Sequence, residues 1–426
     1  MTTPPLTVRT IAVPDPGPLL ALLPDQDGVA WTRQDQGLVG WGSALQATFT
    51  GPDRFADADA WWSAQMSAAS VVDDVGLRGS GPVAFGSFSF ASSGSSILRV
   101  PAVVVGHDGD RWWLTTAGAG GMPAADLGPP EPPRAPGQVR FADGALTAFQ
   151  WTGAVREAVR RIVAGELSKV VLARDLEART DHPLDVRWVM RRLAADYPDC
   201  WTFAVDGLVG ATPEMLLRLT RGTATSRVLA GTLPHDRPGS LPHDEPGSLP
   251  HDEHGVCTDS GAALARSTKD LEEHAYSVQS VAEALAKHCD PVDVPSGPFI
   301  LRLPNVLHLA SDVTAAVQDG SSSLALVGSL HPPAAVCGTP TDLARELIAE
   351  LEQMDRGRYT GPVGWLDATG DGEWGIALRC AELDPDDPSR VRLFAGCGIV
   401  AGSDPDEELA ESTAKLVPMR DALQPE

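Results

Sequence analysis

The sequence has no apolar run of about 18 residues and no Cys-x-x-Cys pair, and each absence removes a class of protein. Without the apolar run, no membrane-spanning helix is expected. The six cysteines, Cys200, Cys257, Cys289, Cys337, Cys380 and Cys397, are scattered along the chain. That argues against a zinc site or a disulfide framework and leaves them as small core residues. The segment Ala395-Gly396-Cys397-Gly398-Ile399 lacks Gly-x-Gly-x-x-Gly and is therefore no dinucleotide fingerprint. Bases are scarce, 33 against 57 acids for a net charge of -24, so neither nucleic acid nor an anionic membrane is an expected partner. A small anionic ligand stays open, provided local cations, a metal or backbone amides offset the negative field. Residues 1–18 are Pro-rich and lack a basic region followed by an apolar core, so a secretory signal is not expected and the cytoplasm is the default location.

What is present is an ordinary globular balance, 43% apolar and 21% charged over 426 residues. That length exceeds what one core usually supports, so two domains or one large double-layered unit are expected. The first part is strand-rich, with strands at 83–90, 97–106 and 111–116, the last two flanking a His107-Asp108-Gly109-Asp110 turn. Residues 119–137 are dense in Gly and Pro and form the internal boundary. Apolar spacing then predicts helices up to Gly165, over 185–196, over 268–288 with the stripe Leu271, Ala275, Val278, Ala282 and Leu285, from Pro340 to Leu351, and from about Pro405. Strands are expected at 201–205, around an Arg221-Gly222 hairpin, and at 362–368, 373–383 and 390–396. Such interspersion favours an α+β fold with largely antiparallel sheets. Leu-Pro-His-Asp begins at 233, 241 and 249; so short a polar repeat cannot bury a face and reads as a loop expansion.

Lys169 lies in Leu167-Ser168-Lys169-Val170-Val171-Leu172-Ala173-Arg174, a β-branched run that reads as a buried strand. Its amine must be paired with a carboxylate or put to use as a base, unless it snorkels from a strand end to water. Glu273 falls in the 268–288 helix, and Glu408, Glu411 and Lys415 share a face of the last helix. Carboxylates facing each other across two helices suit a hard divalent cation, although an acidic helix start also complements its own dipole. Ala395-Gly396-Cys397-Gly398-Ile399 reads as a strand end leading to a helix, where glycines serve either an anion cradle or a tight turn. Arg379, expected in a strand, offers a fork for a carboxylate or a surface ion pair. Glu214, in Gly210-Ala211-Thr212-Pro213-Glu214, is either a desolvated acid or an ordinary first-turn acid.

Together these segments resemble the chorismate-utilising enzymes, the group that contains isochorismate, salicylate, anthranilate and aminodeoxychorismate synthases. The resemblance covers roughly 150–420. It rests on the stretches around Lys169, Glu214, Ala230-Gly231-Thr232, Lys269-Asp270 with Glu273-His274, Val306 to Leu309, Gly338-Thr339-Pro340, Tyr359 to Trp365, Arg379, and Gly396 to Lys415. It implies two antiparallel sheets packed face to face with helices outside, residues 146–426 forming the chorismate-binding region and 1–145 a strand-rich part of the same unit. Lys169 stands where water-using members carry a base and aminating members carry glutamine, and Ala230 stands where aminodeoxychorismate synthases carry a nucleophilic lysine.

The resemblance therefore implies conversion of chorismate to isochorismate by a monomer serving menaquinone or siderophore synthesis. Lys169 would activate water for attack at C2, and Glu214 would protonate the departing C4 oxygen. Mg²⁺ would be held by Glu273, Glu408 and Glu411. Arg379, Tyr359 and the Gly396 and Gly398 amides would bind the enolpyruvyl carboxylate, with Gly231, Thr232, His308 and Lys415 lining the site. Salicylate synthase, which goes on to eliminate pyruvate, and a silent chorismate-binding subunit are the alternatives. Three positions depart from the family pattern: Thr268 replaces a glutamate, Cys337 a glycine and Cys397 an alanine.

Overall fold

In the computed structural model, which describes residues 5–123, 127, 131–234, 259–304 and 306–425, two large sheets share an inner core. The first runs, neighbour by neighbour, Val139–Asp143, Lys169–Thr180, Arg390–Ile399, Cys380–Leu383, Leu208–Thr212, Trp201–Val205, Gly28–Arg33, Gln36–Trp41, Val103–Asp108, Arg111–Ala119, Leu6–Val13 and Ser70–Asp73. The second runs Cys289–Asp293, Val306–Val317, Thr223–Pro234, Met215–Thr220, Gly372–Ile376, Pro362–Asp367, Val83–Ser87, Ser96–Val100 and Leu45–Phe49. Among the described residues the one parallel pair is Leu6–Val13 with Ser70–Asp73.

Strand alternation builds the layers. Trp31, Leu38 and Phe203 of the first sheet meet Phe85, Val363 and Trp365 of the second to form the inner core. On its outer side the first sheet packs Val105, Val209 and Leu393 against Met190, Leu193, Leu416 and Met419 of the helices Val186–Asp196 and Pro405–Leu423. The second covers its outer side with Arg54–Ala68, Thr268–Leu285 and Ser323–Leu330, which contribute Phe55, Val281 and Leu324. The fold is thus α+β, as expected.

One ribbon ties the sheets together. Leu208–Thr212 pairs with Cys380–Leu383 in the first sheet, and their continuations Met215–Thr220 and Gly372–Ile376 pair in the second. Corners at Pro213-Glu214 and Ala377-Leu378-Arg379 make both crossings. They also bond to the opposite strand: the Ile376 N–H donates to Glu214 O and the Ala211 N–H to Arg379 O, each at 3.2 Å.

These corners correct two expectations. Residues 373–383 form two strands, not one, and Arg379 sits in the break between them with φ 47°. Residues 97–106 likewise divide at Pro101-Ala102, where the missing N–H interrupts pairing, and the halves enter different sheets. Apolar pattern alone cannot see such corners, because the residues on either side are buried alike. The third correction concerns the helix Thr268–Leu285, which stops before His288 and exposes Ala275. Its buried face carries Glu273, His274, Ser277, Val281, Ala284 and Leu285. Most of the Leu-Pro-His-Asp repeat lies outside the described residues.

A buried ion pair completes the strand that begins at Lys169. Gly338–Thr339 pairs with only its first two residues, and Val139–Asp143 with 176–180. In the gap Glu352 accepts from the Ala173 N–H at 2.7 Å, Arg356 donates to Val171 O at 2.8 Å, and the two side chains bind each other, Nε to Oε2 at 2.9 Å. Glu352→Ala should therefore cost about 3–5 kcal/mol, because it leaves a guanidinium buried without its anion. A urea midpoint unchanged from the parent would contradict this role.

Candidate active site

The site opens where the ribbon crosses between the sheets. Its cavity is lined by Glu214, Gly231, Thr232, Glu273, His308, Tyr359, Arg379, Gly396, Gly398 and Lys415, ten of the thirteen residues named from the sequence. Lys169 lies immediately behind this lining, and Glu408 and Glu411 at its acidic end.

Lys169 opens its strand, paired with Thr339 on one side, and its side chain is fully buried. Burial without water demands partners for the amine, and successive turns of the helix Thr268–Leu285 supply two. Glu273 Oε1 stands 3.3 Å from Nζ, and Ser277 Oγ accepts from Nζ at 3.0 Å. Ser277 in turn donates to the Glu273 carbonyl at 3.1 Å. Gly398 makes this approach possible: a Cβ there would lie 2.0 Å from Glu273 Oε1 and 3.1 Å from Lys169 Cε. Gly396 and Gly398 lie in the last four residues of the strand Arg390–Ile399, paired with Ala173 and Val171, at the strand end that leads through a turn at Ala401-Gly402 to the helix Pro405–Leu423, as expected.

Glu214 occupies one corner of the ribbon and is 4% exposed. Its carboxylate receives one long hydrogen bond, from the Leu229 N–H at 3.4 Å. Burial therefore dominates and pushes its pKa up to about 8, against the pull of that N–H and of Lys169, Lys415 and Arg379. At neutral pH this group holds its proton.

Arg379 occupies the other corner. Among the described residues it makes no ion pair, and Nη2 donates to His308 Nε2 at 3.0 Å. A guanidinium can only donate, so Nε2 accepts and the imidazole proton sits on Nδ1, 3.1 Å from Thr232 Oγ1. Burial and the nearby Arg379 and Lys415 hold His308 far below its usual range, hence neutral. Thr232 reaches it through a bulge: the register of Thr223–Pro234 against Val306–Val317 slips between Ala230 and Thr232, with Gly231 at φ 77°. Tyr359 stacks on Phe394, ring centroids 4.9 Å apart.

At the acidic end, Glu408 is bound by Lys269 and Glu411 by Lys415, both at 2.6 Å, and Lys415 also donates to Gly396 O at 3.1 Å. Burial, then the charge of Glu411, push Glu408 up to about 7. Carboxylates crowded this way are a donor set that a hard divalent cation relieves, so the residues fit the metal that the family resemblance implies.

Sequence reasoning missed Ser277 and Lys269. Both share a helix face with Glu273, at i+4 and i-4, but the apolar stripe drew attention elsewhere. A second signal was available: the chain has four lysines, Lys169, Lys269, Lys287 and Lys415, and three of them hold the carboxylates of this site.

Comparison with known proteins shows the family of the chain. Residues 130–424 match the family model described as chorismate binding enzyme. Isochorismate synthase DhbC of Bacillus subtilis is 38% identical over 63% of this chain and 66% of its own length. The salicylate biosynthesis isochorismate synthase of Pseudomonas aeruginosa is 32% identical over 92% of this chain and 84% of that protein. Among solved structures, MenF, the menaquinone-specific isochorismate synthase of Escherichia coli, superposes with a TM-score of 0.76 at 25% identity, covering 99% of this chain and 95% of that one. Anthranilate synthase component I of Streptococcus pneumoniae shares the fold, with a TM-score of 0.69 at 18% identity over 91% and 92% of the two chains.

The glycine at 398 gives a structural test. Gly398→Ala should drive the Glu273 carboxylate off Lys169 at a cost of about 1–3 kcal/mol, the range for overpacking. A crystal structure of the variant with the 3.3 Å contact intact would refute the steric argument.

Proposed function

We propose, for a chain that belongs to the chorismate-binding enzymes, that it converts chorismate to isochorismate by adding water at C2 as the C4 hydroxyl leaves. One observation carries the reading: a single site pairs an acid kept protonated by burial, Glu214, with a buried amine, Lys169. Names of the most similar relatives, isochorismate synthases all, support the same reaction.

In this mechanism Lys169 takes a proton from the attacking water and Glu214 gives one to the departing oxygen, so water is consumed at C2 and regenerated from C4. The cycle leaves Lys169 protonated and Glu214 ionised, and a proton passes back between them through solvent before the next turnover. Ser277 positions the Lys169 amine. Arg379, in no ion pair among the described residues and with its fork held by neutral His308, takes a substrate carboxylate beside Tyr359. Mg²⁺, bound by Glu411 and Glu273 with Glu408, would neutralise the second carboxylate.

Product analysis tests the reaction: purified protein given chorismate and Mg²⁺ should yield isochorismate by NMR, and stoichiometric salicylate with pyruvate would assign it instead to salicylate synthesis. Lys169→Ala and Glu214→Gln should each lower kcat by about 10²–10⁴, the usual range for a general acid or base, while chorismate binding stays measurable. Full turnover in either variant would remove that residue from the mechanism. Because Glu214 must donate a proton, kcat should fall as pH rises through about 8, and Glu214→Gln should abolish that limb. Ser277→Ala should lower kcat about tenfold with little change in KM, since losing a bond of about 1.5 kcal/mol to a charged group costs about that factor. A loss confined to KM would exclude positioning of the amine.

A further inference from the structure

Cys397 stands where the family pattern has alanine, and its side chain leaves the strand Arg390–Ile399 on the face turned to the helix Pro405–Leu423. Its Sγ and one carboxylate oxygen from each of Glu408 and Glu411 lie within 4.8 Å of one another. Three donors spread around one ion at bonds of about 2.0–2.3 Å stand about 3.3–4 Å apart, so a small inward movement brings the three atoms to chelating distance. The thiol is 1% exposed and donates to the Glu408 carbonyl oxygen at 3.3 Å, which aims the sulfur at the helix turn that carries both carboxylates.

An alanine here would leave a set of oxygen donors, suited to hard ions. Cysteine adds a soft donor that Mg²⁺ does not use but thiophilic ions prefer. We infer that in this chain the divalent site also takes a thiophilic ion of the Zn²⁺ or Cd²⁺ class on Cys397, Glu408 and Glu411, and that such an ion excludes Mg²⁺. The inference rests on the reading of Glu408 and Glu411 as metal ligands. On binding, the S–H bond breaks, a sulfur–metal bond forms and the proton leaves to solvent; no electron is transferred. Lys269, bound to Glu408 and the more exposed of the two lysines at 28%, swings to water. Lys415 retains its bond to Gly396 O.

The test uses metal-free full-length protein titrated with Cd²⁺, followed by the thiolate-to-cadmium absorption in the ultraviolet, and with Zn²⁺ and Mg²⁺ by calorimetry. We expect the absorption band to saturate at one equivalent and to vanish in Cys397→Ala. That variant should bind Zn²⁺ about 10- to 100-fold more weakly, the loss seen even for outer partners of a metal site, and still bind Mg²⁺. Zn²⁺ should displace Mg²⁺ from the parent protein. Mg²⁺ binding with no band, or a band that survives in Cys397→Ala, overturns the inference and leaves the Mg²⁺ reading intact. Binding of neither ion overturns both.

Discussion

The buried amine of Lys169 is the constraint from which the rest of the site follows. An ammonium group removed from water is tolerated only with close partners, and withdrawing one partner of such a pair costs about 3–5 kcal/mol. Glu273 and Ser277 meet this demand from successive turns of one helix, which fixes that helix over the start of the strand. Fixing the helix brings a carboxylate against the neighbouring strand, where the backbone at 398 has no room for a side chain. One lysine thereby determines a helix position, a rotational setting that buries polar residues, and a glycine in the neighbouring strand.

The second organising element is the ribbon that crosses between the sheets. A strand that stays in one sheet presents alternate residues to a core, whereas a strand that changes sheets must open a corner, and there side chains turn into the gap. Glu214 and Arg379 occupy the two corners of this crossing. What each can do depends on its partners. Glu373, in the same ribbon, shows the contrast: burial pushes it up, but Arg78 and Arg218 outweigh burial and hold it below the ordinary range, with Trp31 Nε1 donating at 2.7 Å. Glu214 has a single long N–H bond and keeps its proton. Two buried glutamates of one ribbon thus have opposite protonation, decided by neighbouring charges and hydrogen bonds and not by depth.

Much of this was legible in the sequence because chemistry there contradicts pattern. Lys169 is a charge in a β-branched run, and the helices around 148–163, 186–196 and 341–351 obey their apolar spacing closely. The sheet crossings were not legible, since Ile376 and Cys380, on either side of the corner, are both buried and periodicity has no term for a change of sheet. Nor was the true face of Thr268–Leu285, because hydrophobic spacing assumes that the buried side is the apolar one. On this helix the buried side carries Glu273, His274 and Ser277, each with a partner waiting: Lys169, and for His274 the Ser311 hydroxyl at 2.8 Å. Polar residues can line an interior face wherever such partners exist, and only the tertiary structure supplies them.

Charge bookkeeping inside the cavity bears on what it can accept. The chain carries -24 overall, a field that repels a dianion from most of the surface. Locally, Lys269 and Lys415 are matched by Glu408 and Glu411, and the Lys169 amine stands against Glu273, so these three side chains contribute no net attraction. Arg379 is different. Among the described residues its guanidinium donates to an imidazole kept neutral by burial, and a neutral acceptor orients the guanidinium without spending its charge. Were His308 protonated, it could no longer accept from Arg379, and two cations would repel each other in the same corner. The neutrality of His308 is therefore what leaves one directed positive charge free for one carboxylate, and a ligand with two carboxylates needs a second positive charge from outside the protein's own side chains. The acidic end of the cavity, with its crowded glutamates, is where such a charge would be most strongly held.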